Sequence, residues 1–270
     1  MSLATWLSVQ LLRALPRSHV SRAVGRVCEL PLSPGLSTAA TGTFARLAGV
    51  DMRDVAPRDR PYPTFDAFFI RPLRPGARPV GRARVVSPAD GRVVAMGRIA
   101  SGGCFHVKQQ DYTADELIGE DAAAYVGGSF AVVYLAPRDY HRVHAPVAGD
   151  VHLVRGMPGD LFPVNSLGER HVPRLLARNQ RVVVFIETAE LGRVAVVLVG
   201  AFIVGRITVG MVEGRVVPPG DHIVEPAVHV EPGDEIGVFH LGSTVVVLTG
   251  RECRPLRDIG PVQYGQALFD

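Results

Sequence analysis

Lysine is nearly absent from this chain of 270 residues, and its cysteines are few and scattered. Of 29 lysine and arginine residues, only Lys108 is a lysine, so the chain has almost no amine for cofactor chemistry that needs one. The three cysteines lie far apart and form no C-x-x-C pair, which argues against a disulfide framework or a zinc site and suits a reducing compartment. They are Cys28, Cys104 and Cys253.

Two further absences limit the function. A net charge of +3 is too small to indicate a nucleic-acid partner. The N-terminus lacks the arrangement of a secretory signal, and the longest apolar run, residues 194–205, is too short to cross a membrane as a helix. Its β-branched residues and interrupting glycines predict a buried strand instead.

The first 60 residues differ in character from the rest, and we predict an amphipathic helical region over 1–60. Apolar residues recur at helical spacing at its start, and arginines follow them before the first acidic residue, Glu29. Such a pattern is typical of a helix lying on an anionic membrane surface, although it also fits a helix packed on its own domain or on a dimer partner. The residues concerned are Leu3, Trp6, Leu7, Leu11, Leu12 and Leu15, then Arg13, Arg17, Arg22 and Arg26.

Residues 61–270 carry the pattern of a mainly β domain, so the expected fold class is α+β. Short β-branched runs alternate with Gly, Pro and Asp from Val85 onward, which is typical of many short strands. Helices are expected after Thr64, at Thr113-Ala-Asp-Glu116 with its capping-box spacing, and at Val172–Arg178. Strands are predicted at Arg92–Met96, Ser129–Leu135, Val182–Glu187, Val194–Val204, Arg215–Val217 and Thr244–Leu248.

Three similar turns each precede a predicted strand: Pro88-Ala-Asp-Gly91, Pro146-Val-Ala-Gly149 and Glu231-Pro-Gly-Asp234. They resemble the hairpins of lipoyl- and biotinyl-carrier domains. A carrier needs a lysine at a hairpin tip, and the surroundings of Lys108 do not predict such a tip. We therefore expect a related β scaffold without the carrier function.

The segment Leu241-Gly242-Ser243-Thr244 precedes an apolar run and is a candidate self-cleavage site. Glycine allows backbone shapes that other residues cannot adopt, and a serine hydroxyl next to a base can attack a carbonyl. The alternative is a turn of small residues at the beginning of a strand.

Two histidines, His141 and His144, lie three residues apart between Pro137 and Pro146. An irregular loop of this kind often carries catalytic groups, but structural histidines or a metal pair without an obvious third ligand remain possible. Asp90 lies in an Asp-Gly pair that is by default a turn. Together with His144 and Ser243 it would complete an arrangement in which histidine takes the serine proton and aspartate fixes the histidine tautomer.

Several blocks of sequence, in the same order, resemble the bacterial phosphatidylserine decarboxylases from about residue 50 onward. Within these blocks, Pro163 stands where the resemblance predicts a smaller polar residue. The blocks are Thr64-Phe-Asp-Ala-Phe-Phe-Ile-Arg-Pro-Leu73, Ser87-Pro-Ala-Asp-Gly91, Tyr134-Leu-Ala-Pro-Arg-Asp-Tyr-His-Arg-Val-His144, Pro158-Gly-Asp-Leu-Phe-Pro-Val-Asn165, Val199-Gly-Ala-Phe-Ile-Val-Gly205 and Leu241-Gly-Ser-Thr244.

The resemblance implies a proenzyme that cuts itself between Gly242 and Ser243. Ser243 would attack the carbonyl of Gly242, with His144 as base and Asp90 behind it. The products would be a β chain of residues 1–242 and an α chain of residues 243–270, whose Ser243 becomes a pyruvoyl group. That group would form a Schiff base with the serine head group of phosphatidylserine, and His141 would assist loss of CO2 or reprotonation.

The resemblance also implies a heterodimer of the two chains, a dimer of these, and peripheral attachment to the cytoplasmic face of the cell membrane. Two other functions fit the residues alone. One is a serine hydrolase using Asp90, His144 and Ser243, although the G-x-S-x-G elbow is missing. The other is a non-enzymatic lipid-binding β module.

Overall fold

The computed structural model describes residues 16–164, 166–203 and 206–270. The apolar residues and the arginine predicted to begin the amphipathic region, Leu3 to Leu15, lie outside these ranges, as do Asn165, Val204 and Gly205. Within the described ranges, no helix has the length and apolar character needed to traverse a bilayer.

Six α-helices are short, and two of them precede the β domain. Thr64 caps the third by accepting a hydrogen bond from the Ala67 amide at 3.0 Å, as the sequence predicts. Thr113 precedes the fourth but makes no capping hydrogen bond with its side chain. The helices are α1 Arg17–Cys28, α2 Pro34–Ala48, α3 Phe65–Phe69, α4 Ala114–Ile118, α5 Ser166–His171 and α6 Leu175–Arg178.

The described residues also form fifteen strands. They are β1 Val85–Val86, β2 Gly91–Arg98, β3 Cys104–Val107, β4 Gln110–Thr113, β5 Ser129–Leu135, β6 Arg142–His144, β7 Gly149–Met157, β8 Arg181–Thr188, β9 Gly192–Val199, β10 Ile207–Val209, β11 Gly220–Val230, β12 Glu235–Phe239, β13 Ser243–Leu248, β14 Gly260–Val262 and β15 Ala267–Phe269.

An antiparallel sheet of eight strands forms the centre of the fold, in the order β11-β7-β8-β9-β13-β5-β2-β14. A second sheet, β10-β12-β6, and the pairs β1-β15 and β3-β4 complete the β structure. The expected α+β class with a β-sheet core is therefore confirmed.

Strand β13 lies between β9 and β5 and is buried on both faces. Because side chains alternate along a strand, Val245 and Val247 enter one hydrophobic core, whereas Val246 and Leu248 enter the other. A strand buried on both sides is uniformly apolar rather than alternating, which explains its sequence.

Three sequence expectations were wrong. Arg215–Val217 lies in a connection rather than a strand, and the strand expected to reach residue 204 ends at Val199. Lys108, for which no hairpin tip was expected, lies between the paired strands β3 and β4 with a positive φ of 57°. The short run around it contained no Gly, Asn or Asp at the turn, so the usual signal of a two-residue hairpin was missing.

The three similar turns open β2, β7 and β12, as predicted. None of them joins two strands that pair with each other, because each leads the chain from one sheet to another. They meet in space instead: Pro88 accepts a hydrogen bond from the amide of His144, and Ala145 exchanges hydrogen bonds with Gly233 and Asp234. This junction brings Asp90 and His144 into one region.

Candidate functional site

Ser243 is the first residue of β13 and pairs with Leu135 of β5. Its side chain is buried at 1% exposure, and its Oγ has no hydrogen-bond partner among the described residues. A buried hydroxyl without a partner costs about 1–3 kcal/mol, so native structures seldom keep one without a reason.

The backbone immediately before Ser243 is strained. Leu241 has a φ of 92° and Gly242 a φ of 20°. A positive φ is rare for a bulky residue such as leucine and costs about 1–3 kcal/mol, so surrounding structure must impose it. His240 supplies part of this constraint, because its ring hydrogen-bonds Asp66 at 2.9 Å and Thr208 at 3.2 Å.

His144, at the end of β6, is held in one tautomer. Its Nδ1 donates to the carbonyl oxygen of Gly233 at 2.7 Å, since that oxygen can only accept. Nε2 is therefore the unprotonated nitrogen, and it lies 3.3 Å from the hydroxyl of Tyr140. Burial lowers the pKa of His144, so the ring is neutral at physiological pH.

Tyr264 covers the face of His144. The two rings are nearly parallel, at 6°, with centroids 3.8 Å apart. The backbone amide of Tyr264 donates to Oδ1 of Asp90 at 2.9 Å. Asp90 therefore fixes the residue that stacks on His144.

Asp90 does not hydrogen-bond His144 itself. Its carboxylate binds Arg78, whose Nη2 and Nε lie 2.8 Å and 3.0 Å from Oδ2. The sequence predicted that Asp90 fixes the tautomer of His144. In the structure the carbonyl oxygen of Gly233 fixes it instead. The carboxylate still raises the pKa of His144, although burial has the larger effect and lowers it.

His141 is completely buried beside Phe69, with ring centroids 4.2 Å apart. Its Nδ1 donates to the carbonyl oxygen of Asp139 at 2.8 Å, while Nε2 has no partner among the described residues. Burial lowers the pKa of His141 to about 3. The backbone oxygen of His141 accepts from the Phe239 amide at 2.9 Å, which ties it to the strand that leads to the Gly242–Ser243 bond.

The structure thus brings Asp90 and His144 together through Tyr264. Ser243 and His141 each keep a buried polar atom without a partner, and Ser243 makes no hydrogen bond to His144. Within the described ranges, no three His, Cys, Asp or Glu residues form a group that could hold a metal ion.

Sequence reasoning missed three residues around His144: Tyr264, Arg78 and Gly233. Tyr264 and Gly233 come from segments about 90 or more positions away. Gly233 lies in one of the three similar turns, but nothing in the local sequence links either residue to His144. Arg78 is one arginine among many. Tyr140 lay within a quoted block but had no role assigned to it.

Comparison with known proteins gives a consistent result. The family model described as phosphatidylserine decarboxylase matches residues 65–270. A phosphatidylserine decarboxylase proenzyme of Anaeromyxobacter sp. (strain K) is 42% identical over 252 residues, covering 90% of this chain and 89% of the relative. The proenzyme of Azotobacter vinelandii is 41% identical over 272 residues, with 94% of each chain covered.

A third relative, the phosphatidylserine decarboxylase proenzyme of Myxococcus xanthus, is 40% identical over 247 residues and covers 89% of this chain. The match extends along nearly the whole length of each protein and includes the regions of Asp90, His144 and Ser243. The chain belongs to the phosphatidylserine decarboxylase family.

Proposed function

We propose that this chain is a self-processing phosphatidylserine decarboxylase, which removes the carboxyl group of the lipid's serine head group to give phosphatidylethanolamine and CO2. The observation that carries the proposal is the Gly242–Ser243 bond. A strained backbone precedes it, and the serine hydroxyl that follows is buried without a partner.

Self-cleavage begins when Oγ of Ser243 bonds to the carbonyl carbon of Gly242 and passes its proton to Nε2 of His144. The C–N bond breaks, and the amine of Ser243 takes a proton, which leaves an ester. β-Elimination then removes the Cα proton and breaks the Cβ–O bond, which frees the Gly242 carboxylate. Water converts the remaining dehydroalanine to a pyruvoyl group and ammonia.

The side chains present fit these steps. Because Ser243 Oγ has no partner, it can turn towards a base without breaking a hydrogen bond. Because the Gly233 carbonyl holds Nδ1 protonated, the lone pair of His144 is on Nε2, the nitrogen a general base needs. The negative charge of Asp90, close enough to affect the pKa of His144, stabilises the imidazolium that forms.

A pyruvoyl ketone supplies an electrophile for the amine of the substrate and a sink for the electrons left when CO2 departs. That chemistry needs no lysine, which agrees with a chain that has only one, Lys108. His141, whose Nε2 has no partner among the described residues, assists loss of CO2 or reprotonation of the carbon that loses it. Burial lowers the pKa of His141 to about 3, so the ring is neutral before the reaction begins.

The α chain, residues 243–270, stays bound to the β chain, residues 1–242. Val245, Val246, Val247 and Leu248 are completely buried between β9 and β5. Each such side chain contributes about 1.5–3 kcal/mol by burial, so the four together hold the cut strand in place. We further propose that two such heterodimers associate.

Residues 1–60, which include α1 and α2, attach the catalytic domain of residues 61–270 to the cytoplasmic face of the cell membrane as a peripheral protein. Four large apolar side chains on or next to α1 and α2 are exposed: Val27, Leu30, Leu36 and Leu47. Exposed apolar groups beside arginines favour an anionic lipid surface.

The alternatives have less support. A serine hydrolase must present its nucleophile to an external acyl group, but Ser243 is 1% exposed. A non-enzymatic lipid module gives no reason for a strained bond before a buried serine.

Intact-mass measurement of the purified protein under denaturing conditions tests the proposal. We expect two fragments split before residue 243, the smaller one beginning with a pyruvoyl group, and conversion of phosphatidylserine to phosphatidylethanolamine. Ser243→Ala should stay uncut and inactive. A single uncut chain in active wild-type protein would disprove the mechanism.

A further inference from the structure

A cavity of about 210 Å³ lies between α1 and the segment His240–Leu241, directly before the cleavage site. Arginines dominate its polar lining, which has four of them against two carboxylates, Glu29 and Asp66. The four are Arg22, Arg26, Arg206 and Arg215. The catalytic steps proposed so far use none of them.

The two carboxylates are already neutralised. Glu29 pairs with both Arg206 and Arg215, and Asp66 pairs with Arg206 at 2.6 Å. Asp66 also accepts a hydrogen bond from His240. These contacts leave an excess of positive charge in the cavity.

That excess lies on Arg22 and Arg26. They are four residues apart on α1, so both project from the same face of the helix. Neither makes a side-chain hydrogen bond or ion pair with any residue in the described ranges, and both are exposed. Two guanidinium groups without partners can together bind the oxygens of one phosphate.

The cavity is close enough to the reacting atoms to bind the same substrate molecule. Leu241 lines it and lies two positions before Ser243, so their Cα atoms are at most about 7.6 Å apart. In phosphatidylserine, two carbons and one oxygen separate the amine nitrogen from the phosphorus. The span from the amine to the phosphate is therefore comparable with the distance from residue 243 to the wall of this cavity at Leu241.

The wall of the cavity does not depend on the bond that breaks. His240 is held by Asp66, Thr208 and the backbone of Arg206, none of which cleavage touches. Ile203 and Val216, which are partly exposed, also line the cavity and offer apolar surface for the glycerol end of the lipid.

We propose that this cavity binds the phosphodiester of the substrate, with Arg22 and Arg26 as its main ligands. The inference rests on the proposed decarboxylase function and assigns the part of the site that recognises a phospholipid rather than free serine. It also explains why α1 packs beside the cleavage site.

The test compares Arg22→Gln/Arg26→Gln with a control, Arg82→Gln/Arg251→Gln, that removes the same charge from exposed arginines outside the cavity. Both control residues lack side-chain partners in the described ranges. Each protein is assayed with phosphatidylserine vesicles and with soluble glycerophosphoserine. Intact mass reports self-cleavage, and vesicle sedimentation reports membrane binding.

We expect the cavity variant to cleave itself fully and to lose about 10- to 100-fold in kcat/KM on both substrates, mainly through KM, since the lost contacts bind a part of the substrate that does not react. The control should stay within about twofold of wild type. If glycerophosphoserine does not react, its strength as an inhibitor of the vesicle assay is compared between wild type and the variants instead.

Three results would overturn the inference. In the first, the cavity variant handles glycerophosphoserine like wild type and loses only vesicle binding, so the arginines attract the membrane surface. In the second, the control loses as much as the cavity variant. In the third, glycerophosphoserine neither reacts with nor inhibits wild type. These results differ from a failure of the proposed function, in which the wild-type protein itself would neither cut its chain nor decarboxylate phosphatidylserine.

Discussion

Asp90→Asn tests whether Asp90 acts through Arg78 and Tyr264 rather than through a hydrogen bond to His144. Its stability is best measured in a Ser243→Ala background, where every protein is uncut and the comparison concerns one covalent species. Asparagine can still accept from the Tyr264 amide, so the substitution removes mainly the charge that faces Arg78.

The expected loss follows from the contacts. Arg78 and Asp90 have side chains only 9% and 10% exposed, and removing one partner of a buried pair costs about 3–5 kcal/mol. Arg78 keeps its second partner, Asp54, at 2.7 Å, which reduces the expected loss to about 2–3 kcal/mol. Asp54 has a side chain that is 30% exposed, so solvent screens its ion pairs and Asp54→Asn should cost much less than Asp90→Asn.

Urea denaturation measures both losses. Asp90→Asn should lower the midpoint with an unchanged m-value, and Asp54→Asn should lower it far less. In thermal unfolding, about 2–3 kcal/mol corresponds to roughly 4–12 °C for a domain of about this size.

Self-cleavage provides the second arm, measured in chains that retain Ser243. Asp90→Asn should slow cleavage, and Tyr264→Ala should also slow it because His144 loses the ring that stacks on it. Tyr264→Phe keeps that ring and should cleave nearly as wild type does. The reasoning is refuted if Tyr264→Ala cleaves at the wild-type rate while Asp90→Asn does not cleave, since Asp90 would then act on His144 directly.

Three further predictions concern the buried polar groups. In urea, with every chain kept uncut by a His144→Gln background, Ser243→Ala should be as stable as the chain that retains Ser243 or up to about 3 kcal/mol more so. In the same background Ser129→Ala, which loses two hydrogen bonds to Cys253, should lose about 1–3 kcal/mol. The reverse order would show that the Ser243 hydroxyl has a partner. The His141→Ala protein should cleave itself but decarboxylate phosphatidylserine poorly. If intact-mass measurement shows that this variant stays uncut, the roles assigned to His141 and His144 are exchanged. The pKa of His141 is about 3 in the folded chain and near 6.5 in the unfolded chain, so the unfolded chain binds more protons between these pH values. The free energy of unfolding of the Ser243→Ala chain should therefore fall as pH drops from about 6.5 towards 3. In acid denaturation curves, His141→Gln should reduce that slope by up to about 1.4 kcal/mol per pH unit.

Local sequence signals predict much of the fold. β5 is found at the predicted residues, Ser129–Leu135, and β13 begins one residue earlier than predicted. A buried antiparallel strand shows itself as an apolar β-branched run between turns, so its position follows from nearby residues alone. The order of eight strands in one sheet does not, because it depends on contacts between distant segments.

The candidate site shows the same division. The motifs around Asp90, His144 and Ser243 are visible in the sequence, but the partners of His144 are not. Tyr264 stacks on it from the C-terminal segment, and Gly233 binds it through a backbone carbonyl, which any residue could supply. Pairing of Asp90 with His144 was the simplest hypothesis from residue types, and the carbonyl and ring contacts replace it.

The position of the proposed cleavage site explains how the chain can be cut without disturbing its core. On the N-terminal side, the hydrogen bonds of His240 and the burial of Leu241 hold a backbone that leucine alone would avoid. On the C-terminal side, β13 is fixed between β9 and β5. Breaking the bond between them relaxes about 1–3 kcal/mol of strain at Leu241 and disturbs no core contact of the strand. Cleavage can therefore change the chemistry of Ser243 while the residues that surround it stay in place.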